Sequence, residues 1–151
     1  MNNDLFESPI HTAKDVQRFI YAGRALFTIV SKKTGARFTF RVKSNHKSKD
    51  GRIHKPIQFV QVLSGTDNEN SYSYLGYLSP HSKGKLNPGN KGKPDALSFQ
   101  SLNWLLGHLE TDNMPEQVEF YHAGKCGACG RTLTVPESIE TGLGPVCAGR
   151  Q

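Results

Sequence analysis

All three cysteines of the chain, Cys126, Cys129 and Cys147, lie near its C-terminal end, and His122 stands just ahead of them. An odd number of thiols cannot all pair as disulfides, and thiols gathered beside an imidazole form the donor set of a closed zinc site. Cys126-Gly-Ala-Cys129 followed by Gly130 has the form of a knuckle. Two thiolates separated by two residues can share one ion only if the chain turns tightly, and Gly127 and Gly130 allow backbone N–H groups to point at the sulfurs. Cys147 follows after seventeen intervening residues. That excursion carries a capping box, Thr134-x-x-Glu137, with Pro136 in the first turn of a short helix and Gly142 ending it. His122, at the end of a predicted strand, is the expected fourth ligand. The alternative for it is a surface histidine at a strand end. His11, His46, His54, His81 and His108 could reach the metal only through tertiary folding. The expected cofactor is one structural zinc. Three thiolates and an imidazole fill its coordination shell and leave no position for an activated water.

The run HAGKCGACGRTLTVPESIETGLGPVC, residues 122–147, resembles the C-terminal signature of a family of short, uncharacterised zinc-finger proteins of bacteriophage and actinobacterial genomes. Arg131, Leu133, Thr134, Pro136, Ser138, Ile139 and Gly144-Pro145 carry the likeness along with the metal donors. Upstream, FIYAGRALFTIVSKKTGARFTFRV and YSYLGYL are similar to the domain that accompanies this finger in phage proteins. The resemblance implies zinc and a phage origin, and it implies no particular activity.

An enzymatic reading competes with the structural one. His108-Leu-Glu110 ahead of Cys126-x-x-Cys129 superficially resembles the zinc nucleobase deaminases, in which the glutamate moves protons to and from a metal-bound water. Lys125 stands where that pattern has proline, only fifteen residues separate Glu110 from Cys126, and Cys147 would have no role. A Cys-His nucleophile pair fails because a metal-bound thiolate is not free to attack. No serine elbow, P-loop or dinucleotide glycine pattern is present. The chain is expected not to be an enzyme.

A net charge of +6 favours an anionic partner. Arg37, Arg41 and Lys43 alternate with apolar residues along one predicted strand, and Lys47, Lys49, Arg52 and Lys55 continue the row into a loop. Tyr72 and Tyr74 share a face of a later strand and could offer stacking platforms, with Tyr77 pointing opposite. The competing reading makes the tyrosines cross-strand packing residues and the cations a solvated face. The expected partner is nucleic acid, DNA or RNA. The alternative is a host protein, for example a defence or nucleic-acid-processing enzyme, engaged through the loops and an exposed Leu102-Asn103-Trp104.

The elements that must position these residues follow from periodicity. A helix is predicted over 12–22, with Thr12 as cap and Val16, Phe19 and Ile20 on one face. Residues 25–31 and 36–42 read as one hairpin, and 56–64 and 71–79 as a second. A second helix spans 96–109, capped by Asp95 or Ser98, with Leu102, Leu105, Leu106 and Leu109 facing the core and Trp104 off that stripe. Residues 116–122 form a strand leading into the cysteines. The fold class is α+β: an antiparallel β-meander, two helices and a C-terminal zinc finger of knuckle or treble-clef type. The division is an α+β domain over 1–115, with mobile basic loops at 43–55 and 80–94, and a zinc-finger module over 116–151 packed on it. With 36% hydrophobic residues, no apolar run long enough to span a bilayer and no signal-peptide pattern at the N-terminus, a cytoplasmic location is expected.

Overall fold

The computed structural model describes residues 8–44, 57–64, 71–79, 84–134 and 136–144. Helix α1, Ala13–Ile20, begins as its sequence requires: Thr12 caps it, the side-chain hydroxyl accepting the N–H of Asp15 at 3.2 Å. Val16, Phe19 and Ile20 are fully buried. Gly23, at φ 116°, turns the chain out of the helix.

Strands β2 (Leu26–Ser31) and β3 (Arg37–Ser44) form the first hairpin, and β4 (Gln58–Leu63) and β5 (Tyr72–Leu78) the second. Together they make the expected antiparallel meander. The sheet extends beyond it, because β6 (Val118–His122) and a two-residue strand β1 (Ser8–Pro9) add to the far side of β2. The order across six strands is β1-β6-β2-β3-β4-β5. The segment that leads into the cysteines is therefore an interior strand of the main sheet. Its place is fixed by aromatic packing: Phe120 stacks on Phe27 at 4.9 Å between ring centroids and meets Phe19 edge-on at 5.9 Å. Pro9 lies on the outermost strand, where a missing N–H costs no ladder bond.

Helix α2, Leu97–Glu110, packs with α1 over one face of the sheet, contributing Phe99, Leu102, Leu105, Leu106 and Leu109 to the core. Neither Asp95 nor Ser98 caps it. Ala96 holds the cap position without a side-chain hydrogen bond. Leu102 is fully buried and Asn103 Oδ1 accepts the N–H of Leu86 at 2.8 Å, so Trp104 alone of that triplet is exposed. A third helix, α3 (Pro136–Thr141), starts at the proline of the capping-box segment.

The described part of the glycine- and lysine-rich segment, 84–94, is pinned. Leu86 is buried, and Asn87 exchanges backbone hydrogen bonds with Tyr77 at 2.8 and 2.9 Å. One leucine anchor and one strand-like pair hold a stretch whose composition alone reads as loop. Among the described residues no helix is long and apolar enough to cross a membrane.

Candidate metal centre and cationic sheet face

After β6 the chain makes a miniature hairpin around the first two cysteines. Lys125 bridges Thr132, and the N–H of Leu133 donates to the carbonyl of Gly124 at 2.8 Å. At its tip the N–H of Cys126 donates to the carbonyl of Arg131, and Gly130, at φ 79°, donates to the carbonyl of Cys126. The Cys126 sulfur accepts the N–H of Ala128 at 3.4 Å and of Gly144 at 3.3 Å. Burial raises the pKa of this thiol, but the N–H groups of Gly144, Cys129 and Ala128 and the Cys129 thiol more than offset that, bringing it to about 7. A sulfur ringed by backbone donors is an environment built for a thiolate, and the donor set fits a thiolate-binding metal.

The knuckle is wedged into the main fold. The N–H of Gly127 donates to the carbonyl of Gly142, the N–H of Arg24 to that of Gly127, and Arg24 Nη1 to that of Cys129. A Cβ on Gly127 would stand 2.8 Å from the Phe19 ring, and one on Gly142 only 2.3 Å. Phe19 thus belongs at once to the main core and to the wall behind the knuckle.

His122 is fully buried. Its Nε2 donates to the carbonyl of Ile139 at 2.5 Å and its Nδ1 accepts the N–H of Gly124 at 2.9 Å, with the ring lying against Phe19. Burial lowers its pKa, and the Ile139 bond partly opposes this. Both ring nitrogens are thus engaged, so the imidazole ties β6 to α3. An Nε2–H on a backbone carbonyl is also how metal-bound histidines are commonly oriented. Nδ1 is then the atom available to a metal, in exchange for the Gly124 bond. Cys147 lies outside the described residues, and among those described no group of three or more His, Cys, Asp or Glu side chains could hold a metal. Residues 117–151 match the model of a family of unknown function, DUF6011. That match covers β6, the knuckle and α3. No match was found among curated proteins or solved structures.

His108 and Glu110, the pair behind the deaminase alternative, sit in the last turn of α2. His108 stacks edge-on with Trp104 at 4.4 Å, while Glu110 accepts a hydrogen bond from Gln17 at 2.8 Å. Two residues apart on a helix, they point in different directions.

On the sheet face away from the helices, the register β3–β4–β5 aligns Arg41 with Gln61 and Tyr74, and Lys43 with Phe59 and Tyr77. Residues directly opposite one another share a face. A bulge between Val60 and Gln61 shifts the β5 register, and it brings Tyr77 onto the same side as Tyr72 and Tyr74. The opposite orientation expected for Tyr77 is thereby corrected. Alternation fails wherever an extra residue interrupts the pleat. Gly76 was the available signal, a lone glycine inside a strand. A Cβ there would lie 2.6 Å from the Asn87 carbonyl oxygen.

Arg41 spans two of the expected roles: its Cζ lies 4.1 Å from the Tyr72 ring centroid, and its Nε donates to Gln61 at 2.9 Å. Burial raises the Tyr72 pKa, with the Arg41 charge opposing. Arg37 is exposed at the other end of β3, two strands from Glu119 across Val30. The positive end of the face is therefore that of Arg41 and Lys43. Lys47, Lys49, Arg52 and Lys55 lie outside the described residues.

Proposed function

We propose that this chain is a non-enzymatic, zinc-stabilised basic protein that binds nucleic acid, DNA or RNA, through the outer face of its sheet. The observation that carries the reading is the register placing Arg41 and Lys43 on one open surface with Tyr72 and Tyr74. Cations for phosphates beside aromatic rings for bases are the two parts such a surface needs. On this reading Cys126, Cys129 and Cys147 hold the zinc. His122 Nδ1 becomes the fourth ligand only by exchanging its Gly124 bond for the metal and closing on Cys126 and Cys129, with which it forms no three-donor group among the described residues. The N–H of Gly144 is bonded to the Cys126 sulfur, and three residues of chain can carry Cys147 no more than about 11 Å from Gly144. Location in a host-cell cytoplasm and a phage origin belong to the same proposal and rest on the sequence resemblance.

The test is fluorescence anisotropy with short DNA and RNA oligonucleotides across salt concentrations. Micromolar binding should fall steeply with salt, and fall again in Arg41→Ala/Lys43→Ala. Absence of binding at low salt removes the reading. Metal content tests the other half: about one zinc per chain is expected, lost in Cys126→Ser and weakened in His122→Ala. Full retention in His122→Ala leaves that imidazole a purely structural tie.

A second reading, a modulator of a host protein, has one observation in its favour. Between α2 and the β2–β3 hairpin lies an apolar groove of about 390 Å³, lined in part by Ile29, Phe38, Leu97 and Trp104. Leu97 and Trp104 are 62% and 42% exposed. Co-purification of a partner lost in Trp104→Ala, with no oligonucleotide binding, decides for it.

A further inference from the structure

The aromatic end of the outer face is more than a flat sheet. Phe59, 38% exposed, lies directly across from Tyr77 and 6.3 Å from Tyr74 between ring centroids. Because the bulge brings both tyrosines to the Phe59 side, three rings share one open depression of about 650 Å³. Its walls come from two sides. Ile57 and Lys43 close it toward the end of β3, while Gly89, Asn90 and Lys91 close it from the segment that Asn87 fastens to the edge of β5. No carboxylate lines it among the described residues. The apolar floor would draw a π-face out of water, and the two lysines at its rim suit a polyanion.

We propose that unpaired bases of a single-stranded nucleic acid stack on Phe59, Tyr74 and Tyr77, while Lys43 and Lys91 hold the adjoining phosphates. This rests on the nucleic-acid reading and narrows it to the single strand. A duplex presents only base edges in its grooves, and ring faces lying in a depression cannot stack on edges. A single strand can splay a base outward, and stacking on an aromatic side chain tolerates any base because each has a π-face. Phe59 was not singled out from the sequence, and Tyr77 was expected to point away; the bulged register brings Tyr77 to the side of Phe59 and Tyr74.

The experiment uses the full-length protein with fluorescein-labelled probes of about 12 nucleotides, within the range of lengths that such surfaces occupy. The probes are oligothymidine, oligouridine, an abasic phosphodiester tract of the same length and a matched duplex. Oligothymidine or oligouridine should bind about ten-fold or more tightly than the abasic tract and the duplex, the gain expected from at least one stacked base. Phe59→Ala should erase that advantage, whereas Tyr74→Phe should keep it. Equal affinity for base-bearing and abasic tracts overturns the stacking proposal while leaving nucleic-acid binding intact. No binding of any probe overturns both. The comparison among probes needs no variant, so a substitution that impairs folding cannot shelter the proposal.

Discussion

The knuckle and the outer face of the β3–β5 sheet are built from similar materials to opposite ends. Around the knuckle, polar groups are spent on backbone: buried His122 uses both nitrogens on it, and exposed Arg24 reaches the Cys129 carbonyl. On the outer face, Arg41 lies over Tyr72 and Lys43 stands exposed beside Phe59. Groups bound to backbone stabilise the knuckle; on the outer face Arg41 is itself half-buried and engaged by Tyr72 and Gln61, and Lys43 is the cation of the pair that stands exposed. The comparison teaches that the metal donors and the binding residues need not be one site. On the proposed function, the first would close the fold and the second would use its surface.

Metal removal should give the largest effect and expose the comparison most directly. Structural zinc contributes free energy on the order of 10 kcal/mol to the parts it ties together. Chelation, or Cys126→Ser, is expected to abolish amide-exchange protection over 124–144 while β3, β4 and β5 keep most of theirs. Exchange measured by mass spectrometry reads this directly. If the three strands open together with the knuckle, the two regions form one cooperative unit and the contrast fails.

Phe19→Ala comes next, because this ring touches both the main core and the knuckle wall. Truncating a fully buried phenylalanine costs about 3–5 kcal/mol, and here it should also loosen zinc retention. Denaturant unfolding combined with metal analysis checks both consequences. A loss of stability with zinc affinity unchanged would mean that the wall behind the knuckle does not support the site.

Much of this arrangement could be read from the sequence, and the failures have identifiable causes. Period-two alternation with a Lys-Thr-Gly turn located the first hairpin, and Thr12 with Asp15 located the start of α1, because both signals are local. Strand β1 escaped notice because two residues carry no period, and its pairing partner lies over a hundred positions away. The burial of His122 was equally invisible: nothing around it in sequence announces Phe19 and Ile139 as neighbours. Tyr77 was misassigned because face assignment assumes an unbroken pleat, and the bulge that breaks it depends on β4 as much as on β5. Gly127 and Gly130 were expected to aim N–H groups at the sulfurs, but the donors to Cys126 Sγ are Ala128 and Gly144. What Gly127 permits is close approach. The atom being approached, Phe19, came from the opposite end of the chain.

Gly76→Ala tests the open region alone. Its Cβ would press on the Asn87 carbonyl and, at 3.2 Å, on Leu86 and Phe99. Overpacking of that kind costs about 1–3 kcal/mol. The strain should displace the segment carrying Gly89 and Lys91 and weaken oligonucleotide binding, with zinc content unchanged. Unaltered binding would show that this wall is dispensable to the depression.

The smallest effect sharpens the comparison most, because it separates stability from binding at a single residue. Arg41→Ala removes a cation–π contact of a half-buried guanidinium, about 1 kcal/mol, together with the bond to Gln61, about 0.5–1 kcal/mol. Stability should fall by about 1.5–2 kcal/mol, the sum of the two. Binding should weaken alike for all single-stranded sequences, and the slope of log affinity against log salt should decrease by about one if Arg41 neutralises a phosphate. A glutamine at this position can keep a hydrogen bond to Gln61 but not the charge. Arg41→Gln should therefore recover part of the stability and none of the salt slope. Recovery of the salt slope in Arg41→Gln would place the residue with the internally spent groups of the knuckle rather than with the outward-facing set.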